Sequence, residues 1–222
     1  MSSPIRAVLF DLDGTLLDTA PDLVHALNEV RREQGREALP YALARTQVSH
    51  GSSGLIRLGF PDFAGDPLEA LRLRLLDIYS QHLSAGSRLF DGCQQVLDYL
   101  AARDMPWGIV TNKPGFLTDP LLAALQLDRL AACVVSGDTL PQRKPHPAPL
   151  HFAADKLQLA PAHCLYVGDA ERDVQSARAA GMPVLVARYG YLGPTDDPEA
   201  WGPDGHIDSP LQIIDYLQGR MS

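Results

Sequence analysis

Two aspartates follow the first apolar run of the chain, in the stretch "AVLFDLDGTLLDT" at residues 7–19. Residues two apart on an extended strand point to the same side, about 7 Å from each other. Asp11 and Asp13 could therefore act on one reactive centre, provided that the chain stays extended through Asp13. Asp-Gly between two apolar runs is also a strong hairpin signal, so this stretch alone leaves a simple turn equally open.

Two further apolar runs end at a polar residue. Thr111 follows "WGIV", and Asp169 follows "CLYVG", with Asp173 four residues further on. Ligands bind beyond the carboxyl ends of the strands in an open parallel sheet. We therefore expect Asp11, Thr111 and Asp169 to converge there, and Asp169 to share a face with Asp173 if a helix begins at Asp169.

Such a group of carboxylates needs a compensating cation. Two carboxylates about 4 Å apart repel by about 4 kcal/mol at an effective dielectric constant of about 20. Lys144 in "QRKPHP" can supply one positive charge, and a metal ion could supply more. Because the candidate ligands all offer oxygen, the expected cofactor is a hard ion, Mg²⁺, rather than zinc.

The elements that would position these residues form an alternating pattern. Apolar runs without polar alternation predict buried strands at 5–10, 107–110, 164–168 and 183–187, with a weaker one at 132–136. Helical patterns lie at 114–127, 147–157 and 173–181, and Ser209-Pro210 is a start signal for a last helix. Alternation from about residue 88 onward predicts an α/β fold with a Rossmann-like, doubly wound parallel sheet.

Residues 18–86 break this alternation. Helical patterns at 21–34 and 68–83 flank a Gly/Ser-rich segment, "SHGSSG" at 49–54, which predicts a loop. Since no strand separates these helices, we predict an inserted all-helical cap domain over 18–86. The α/β core would then comprise residues 1–17 and 87–222, joined to the cap by linkers near "TLLDTA" and "SAGSRLFDG".

The predicted cap loop is either a solvated connection or a lid that selects the substrate. If it is a lid, its candidate substrate-binding residues are His50, Gly51, Ser52 and Arg57. Lys113 in "TNK" leaves a similar choice, between approaching an anionic ligand such as phosphate and simple exposure.

The composition of the chain limits the kinds of partner that it can bind. The chain has 222 residues, a net charge of -8 and no basic run, which argues against nucleic acid and anionic membrane surfaces. No apolar run approaches the roughly 20 residues of a membrane span, and the first run is too short for a signal-peptide core. Three dispersed cysteines suit buried thiols in a reducing compartment. We expect a cytoplasmic monomer or homodimer that acts on a small molecule.

Four segments together resemble the motifs of the haloacid dehalogenase superfamily: "DLDGT", "VTNK", "RKPHP" and "GDAERD". Their order, spacing and strand context are similar, and the resemblance covers nearly the whole chain, including a cap after the first motif. It implies Mg²⁺-dependent hydrolysis of a small phosphorylated metabolite through an aspartyl-phosphate.

The resemblance also implies roles for individual residues. Asp11 would be the nucleophile, and Asp13 the general acid and then the base. Phosphoryl and substrate contacts would come from Thr111, Asn112 and Lys144, with Lys144 also holding Asp11. The metal ligands would be Asp11, the backbone carbonyl of Asp13 and Asp169, with Asp173 orienting them.

Within the superfamily, Asp13 favours a phosphatase or phosphomutase, because dehalogenases lack this second aspartate. The motif wording and cap placement are similar to those of phosphoglycolate phosphatases. The tail at 188–210 resembles that of N-acetylmuramic acid 6-phosphate phosphatases, which is the alternative for the substrate. A β-phosphoglucomutase-like isomerase and a non-catalytic phosphate-binding or partner-binding domain are further alternatives.

Overall fold

A six-stranded parallel sheet forms the centre of the protein in a computed structural model, which describes residues 4–219. The strands are β1 (Ala7–Phe10), β2 (Leu17–Asp18), β3 (Arg88–Leu89), β4 (Trp107–Val110), β5 (Cys133–Val135), β6 (Cys164–Gly168), β7 (Val184–Ala187) and β8 (Gly205–Ile207). The order in the large sheet is β5-β4-β1-β6-β7-β8, and β2 and β3 form a separate antiparallel pair. The strand β1 therefore lies between β4 and β6, where the chain changes direction across the sheet.

Helices cover both faces of this sheet. They are α1 (Ala20–Glu33), α2 (Tyr41–Arg45), α3 (Gly51–Gly59), α4 (Gly65–Gln81), α5 (Cys93–Ala101), α6 (Gly115–Ala124), α7 (Ala148–Lys156), α8 (Glu171–Ala180) and α9 (Gln212–Leu217). Val8 and Phe10 pack with α5, α6 and α9, whereas Ala7 and Leu9 pack with α7 and α8 on the opposite face. Because β1 is apolar on both faces, it reads as a continuous apolar run. The predicted doubly wound α/β fold is confirmed.

The helices α1 to α4 occupy the chain between β2 and β3 and form most of a second hydrophobic cluster, which includes Leu27, Leu55, Phe60 and Leu75 and also takes in Leu117 and Tyr191. We call the segment from the start of α1 to the end of α4 the helical insert. Pairing of Leu17 with Leu89 places the two predicted linkers side by side. The domain boundaries themselves stay a prediction, and residues 1–3 and 220–222 of the predicted core lie outside the described residues.

The predicted loop at 49–54 is wrong. A 3-10 turn at Val48–His50 leads directly into α3. Leu55 is fully buried, and Gly59 approaches Leu27 so closely that an added Cβ would lie 2.8 Å from its Cδ1 atom. Burial of one face thus holds this segment helical, and its small residues allow close packing rather than a flexible connection.

Two other differences between the predicted and the observed elements lie at residues 205–217. The strand β8 has only three residues between segments rich in glycine and proline, so its sequence lacks a strand pattern. The last helix begins at Gln212 rather than at Ser209-Pro210, because these two residues form the turn that precedes it. In the described part of the chain, no helix combines the length and apolar character needed to cross a membrane.

Candidate active site

Three neighbouring strands deliver polar residues to one edge of the sheet. Asp11 directly follows β1, Thr111 follows β4 and Asp169 follows β6. Backbone bonds keep the first two in register with the sheet: Asp11 N–H donates to Val167 O at 2.8 Å, and Thr111 N–H donates to Val135 O at 2.9 Å. The predicted convergence at the carboxyl ends of the strands therefore occurs.

Asp11, Asp169 and Asp173 form a buried carboxylate cluster, with one oxygen of each lying within 4.8 Å of the others. Burial raises the pKa of Asp11 against the opposing charge of Lys144. The helix α8 begins at Glu171, so Asp169 precedes it, and the expected shared helical face is wrong. The turn from β6 into α8 brings these carboxylates together instead.

The chemistry of this cluster fits a divalent cation. Within residues 4–219, Asp169 Oδ1 is buried and has no hydrogen-bond partner. An unpaired buried acceptor is unfavourable unless a ligand satisfies it. Since all three donor groups are carboxylates, a hard, oxygen-binding cation fits the site.

Cation binding to this cluster should weaken at low pH, because protons compete for Asp169. Burial, followed by repulsion from Asp11 and Asp173, raises the pKa of Asp169 to about 7 in the metal-free protein. The ionised form that a cation needs therefore prevails only above that pH. We expect the affinity for Mg²⁺, measured by titration calorimetry, to fall about tenfold per pH unit below pH 7. An affinity that is constant between pH 5 and pH 7 would contradict this.

Glycines allow two loops to approach Asp169. Gly14 has φ +88°, and a Cβ atom there would lie 2.1 Å from Asp169 Oδ2. A Cβ at Gly190 would lie 2.4 Å from the Cβ of Asp169. The loops after β1 and β7 can therefore enclose this carboxylate only without side chains at these positions.

Gly14→Ala should lower the free energy of unfolding by about 3 kcal/mol, the sum of about 1 for left-handed backbone strain and about 2 for overpacking. Gly35→Ala is the matched control, because Gly35 has φ +67° but nothing within 4 Å of an added Cβ. Gly35→Ala should lower the free energy of unfolding only by the strain contribution of about 1 kcal/mol. Equal losses in urea unfolding of both variants would show that contact with Asp169 does not constrain position 14.

Lys144 connects two members of the carboxylate cluster. Its Nζ atom lies 2.9 Å from Asp11 Oδ1 and 2.8 Å from Asp173 Oδ1, and donates to the Tyr166 hydroxyl at 2.7 Å. An ammonium has three protons, so these partners can use all of them. Burial disfavours ionisation of Asp173, but Lys144 and Arg172 outweigh this effect and lower its pKa.

Asn112 holds the backbone of Lys144 in place. Its amide nitrogen donates to Lys144 O at 2.9 Å, and its amide oxygen accepts from Lys144 N–H at 3.0 Å. The neighbouring Thr111 hydroxyl accepts a bond from Lys113 N–H at 3.1 Å. Within residues 4–219 the Thr111 hydroxyl donates no hydrogen bond, so its own proton is available to another acceptor.

Asp13 has different surroundings from Asp11. Its Oδ1 atom lies 2.9 Å from Lys113 Nζ and accepts a bond from the Thr19 hydroxyl at 2.5 Å. Lys113 also donates to the hydroxyl of Tyr79 on α4 at 2.8 Å. Burial disfavours the charged form of Lys113, yet Asp13 and Tyr79 together outweigh it and raise the pKa of Lys113. The structure thus places Lys113 beside a candidate catalytic group rather than at the surface.

The helical insert contacts the carboxylate cluster and the loop after β7. Ser49 donates its hydroxyl proton to Asp169 Oδ2 at 2.6 Å. Arg45 donates to the carbonyl oxygens of Gly190 at 2.9 Å and Tyr189 at 3.2 Å. None of these contacts follows from a local sequence pattern, because the partners lie more than a hundred residues apart.

A cavity of about 840 Å³ lies between the sheet edge and the insert. Its walls bring together most of the predicted site residues: Asp11, Asp13, His50, Gly51, Ser52, Arg57, Thr111 and Asn112. The side chain of Lys144 is fully buried beneath it. Among the described residues, Asp11 and Asp13 are the acidic members of the lining, whereas four arginines contribute to it: Arg57, Arg72, Arg143 and Arg172. The cavity is therefore locally positive in a chain of net charge -8.

The chain matches the model of the haloacid dehalogenase-like hydrolase family over residues 8–187 and belongs to this family. The fold and the placement of the four motifs agree with that membership.

Three individual relatives are similar to this chain over nearly its whole length. The chain is 43% identical, over 94% of both sequences, to a phosphoglycolate phosphatase from Xanthomonas campestris pv. campestris. It is 40% identical, over 98% of both sequences, to an N-acetylmuramic acid 6-phosphate phosphatase from Pseudomonas putida. A crystal structure described as a predicted phosphoglycolate phosphatase from Haemophilus somnus superposes with a TM-score of 0.86 at 28% identity, covering 98% of this chain and 100% of that one.

Proposed function

We propose that this protein is a Mg²⁺-dependent phosphatase that hydrolyses a phosphate monoester of a small metabolite through an aspartyl-phosphate. The observation that carries the proposal is a buried carboxylate, Asp11, which reaches a positively lined cavity and sits in a cluster suited to a divalent cation. Relatives at 40–43% identity with phosphatase names support the same reaction class.

Asp11 is the proposed nucleophile. One of its oxygens forms a bond to phosphorus while the bond from phosphorus to the leaving oxygen breaks. Asp13 gives a proton to that leaving oxygen and then takes one from the water that hydrolyses the aspartyl-phosphate. Lys144 orients Asp11 through the contact between its Nζ atom and Asp11 Oδ1. The Thr111 hydroxyl, which accepts from Lys113 N–H, can donate its proton to a phosphoryl oxygen.

The carboxylates of Asp11 and Asp169 and the backbone carbonyl of Asp13 would hold Mg²⁺, with Asp173 orienting them. When bound, the ion supplies positive charge that stabilises the transferring phosphoryl group. Mg²⁺ prefers oxygen ligands, and Asp169 Oδ1 is a buried oxygen without a hydrogen-bond partner in residues 4–219.

The helical insert is proposed to act as a lid and a selector of substrate. Its contacts reach each part of the site: Ser49 touches Asp169, and Tyr79 touches Lys113, which in turn holds Asp13. Opening of the insert would break these contacts, and closure would exclude water from the reacting groups. His50 and Arg57 line the cavity from the insert side and are candidate contacts to the non-phosphate part of the substrate.

Phosphoglycolate is the first candidate substrate, because the relatives at 41–43% identity are phosphoglycolate phosphatases. N-acetylmuramic acid 6-phosphate is the second candidate, favoured by a cavity of about 840 Å³, which exceeds the needs of a two-carbon acid. A cytoplasmic location and a monomeric or homodimeric state stay predictions. The free thiols of Cys93, Cys133 and Cys164 are in keeping with a reducing compartment.

A phosphate-release screen tests the proposal. Phosphoglycolate, N-acetylmuramic acid 6-phosphate, hexose phosphates and p-nitrophenyl phosphate are supplied to the protein with Mg²⁺ or with chelator. We expect release from at least one ester, dependent on Mg²⁺ and continuing without a sugar acceptor. Release that requires a sugar phosphate acceptor would indicate a phosphomutase. No release from any ester would overturn the proposal.

A further inference from the structure

Arg172, in the first turn of α8, is a cation that the proposed roles leave unassigned. Its Nη2 atom lies 3.9 Å from Asp11 Oδ2, which is too far for a hydrogen bond. Its side chain is only 22% exposed, and its guanidinium donates no hydrogen bond to any residue in 4–219. A guanidinium carries five N–H donors, and leaving them unpaired in a largely buried position is unfavourable. A ligand in the cavity would supply the missing acceptors.

The other cations close to the aspartates are already engaged. Lys144 is surrounded by Asp11, Asp173 and Tyr166, and its side chain is 0% exposed. Among the described residues, it is not one of those that line the cavity. Lys113 is held between Asp13 and Tyr79.

The remaining arginines of the cavity differ from Arg172. Arg72 pairs with Glu69, and neither Arg57 nor Arg143 forms an ion pair with an aspartate of the site within the described ranges. Arg172 thus combines nearness to the nucleophile with free donors at the cavity wall.

We infer that Arg172 is a further catalytic residue, which binds the oxygens of the transferring phosphoryl group; this inference rests on the proposed function. A phosphorus atom poised for attack lies about 3–3.5 Å from the attacking oxygen. Its other oxygens then come within hydrogen-bond reach of a guanidinium next to the same carboxylate. The planar fork of arginine matches two such oxygens, and charge on them is what the transition state must stabilise.

A different role for Arg172 would be to balance the charge of the carboxylate cluster without touching the substrate. The two roles have different consequences. A charge-balancing arginine can be replaced by lysine, which keeps the charge, whereas a bidentate contact needs the fork. A charge-balancing arginine affects the binding of inorganic phosphate only through its charge, which lysine keeps.

The test compares Arg172→Gln and Arg172→Lys with the parent, all in saturating Mg²⁺. The dissociation constant of inorganic orthophosphate is measured by calorimetry, and kcat and KM are measured with p-nitrophenyl phosphate. Arg178→Gln is the matched control: it removes the same charge from the same helix, at a residue that instead donates to Gly202 O.

For Arg172→Gln we expect at least tenfold weaker orthophosphate binding and about a hundredfold lower kcat, which is smaller than the roughly 10³–10⁵-fold effects of arginine fingers on a transferring phosphoryl group. Arg172→Lys should recover less than half of the lost affinity on a logarithmic scale, and Arg178→Gln should stay within about twofold of the parent. Parent-like orthophosphate binding in Arg172→Gln, or full recovery in Arg172→Lys, would overturn the inference while leaving the phosphatase proposal intact. A parent that neither binds orthophosphate nor hydrolyses any ester would overturn both.

Discussion

Asp11→Asn should abolish phosphate release, with kcat lowered by at least about 10⁴-fold, the order of loss seen when a covalent nucleophile is removed. An amide oxygen is a poor nucleophile, so the aspartyl-phosphate cannot form. The fold should survive, because asparagine has the same shape and its oxygen can still accept the bond that Leu12 N–H donates at 2.7 Å. The measurement is phosphate release under saturating Mg²⁺, with thermal unfolding as the check on folding.

Asp13→Asn is the matched control for this prediction, because it removes one carboxylate from the same turn without removing the nucleophile. With p-nitrophenyl phosphate, whose leaving group needs little help from an acid, Asp13→Asn should still form the phospho-enzyme but hydrolyse it slowly. Intact mass spectrometry of quenched samples should therefore detect one added phosphoryl group in Asp13→Asn and none in Asp11→Asn. Phosphate release by Asp11→Asn at a rate near that of the parent would exclude a covalent role for Asp11.

The sequence was most informative where local pattern and topology act together. Apolar runs buried on both faces mark the strands, and the rule that ligands bind at their carboxyl ends then brings Asp11, Thr111 and Asp169 to one place. The structure has these residues on three adjacent strands, although about a hundred residues separate the first two. The core of the site was thus predictable without knowledge of any side-chain contact.

The partners of those residues were not predictable in the same way. Tyr79 lies on the buried face of a helix, and its helical spacing explains it fully as a core residue. Its contact with Lys113 depends on how the insert packs against the sheet. Arg172 was not predictable for the same reason. The motif that contains it identifies Asp169 and Asp173, whereas only the structure shows that its guanidinium lies 3.9 Å from Asp11 without a hydrogen-bond partner in residues 4–219.

Misleading composition accounts for the error at 49–54. Glycine and serine favour turns in general, but here Gly51, with φ +66°, is the first residue of α3, and Leu55 of that helix is buried. Tertiary burial therefore overrides weak intrinsic helix propensity. The consequence for function is that Ser52 and Arg57 project from a helix, which holds them in fixed positions on the cavity wall.

Lys144→Met should destabilise the metal-free protein by about 3–5 kcal/mol at pH 8, the range expected when one partner of a buried ion pair is lost. In the parent protein, the Nζ atom of Lys144 lies 2.9 Å from Asp11 Oδ1 and 2.8 Å from Asp173 Oδ1. Burial already raises the folded-state pKa of Asp11 above 3.8, and loss of Lys144 raises it further. Without Lys144, burial also opposes ionisation of Asp173 more strongly, and its folded-state pKa rises from its present lowered position. The folded protein then binds more protons than the unfolded chain, so the loss grows as pH rises from about 4 and shrinks in acid.

Urea unfolding of the parent and the variant at pH 5 and pH 8 measures this dependence, and we expect the difference between them to be smaller at pH 5. The double variant Lys144→Met with Asp173→Asn should recover part of the loss, because it removes one of the two carboxylates left without a partner. A pH-independent loss, with no recovery in the double variant, would mean that Lys144 contributes through packing of its methylene chain alone. Lys144 would then have no electrostatic part in preparing Asp11 for attack.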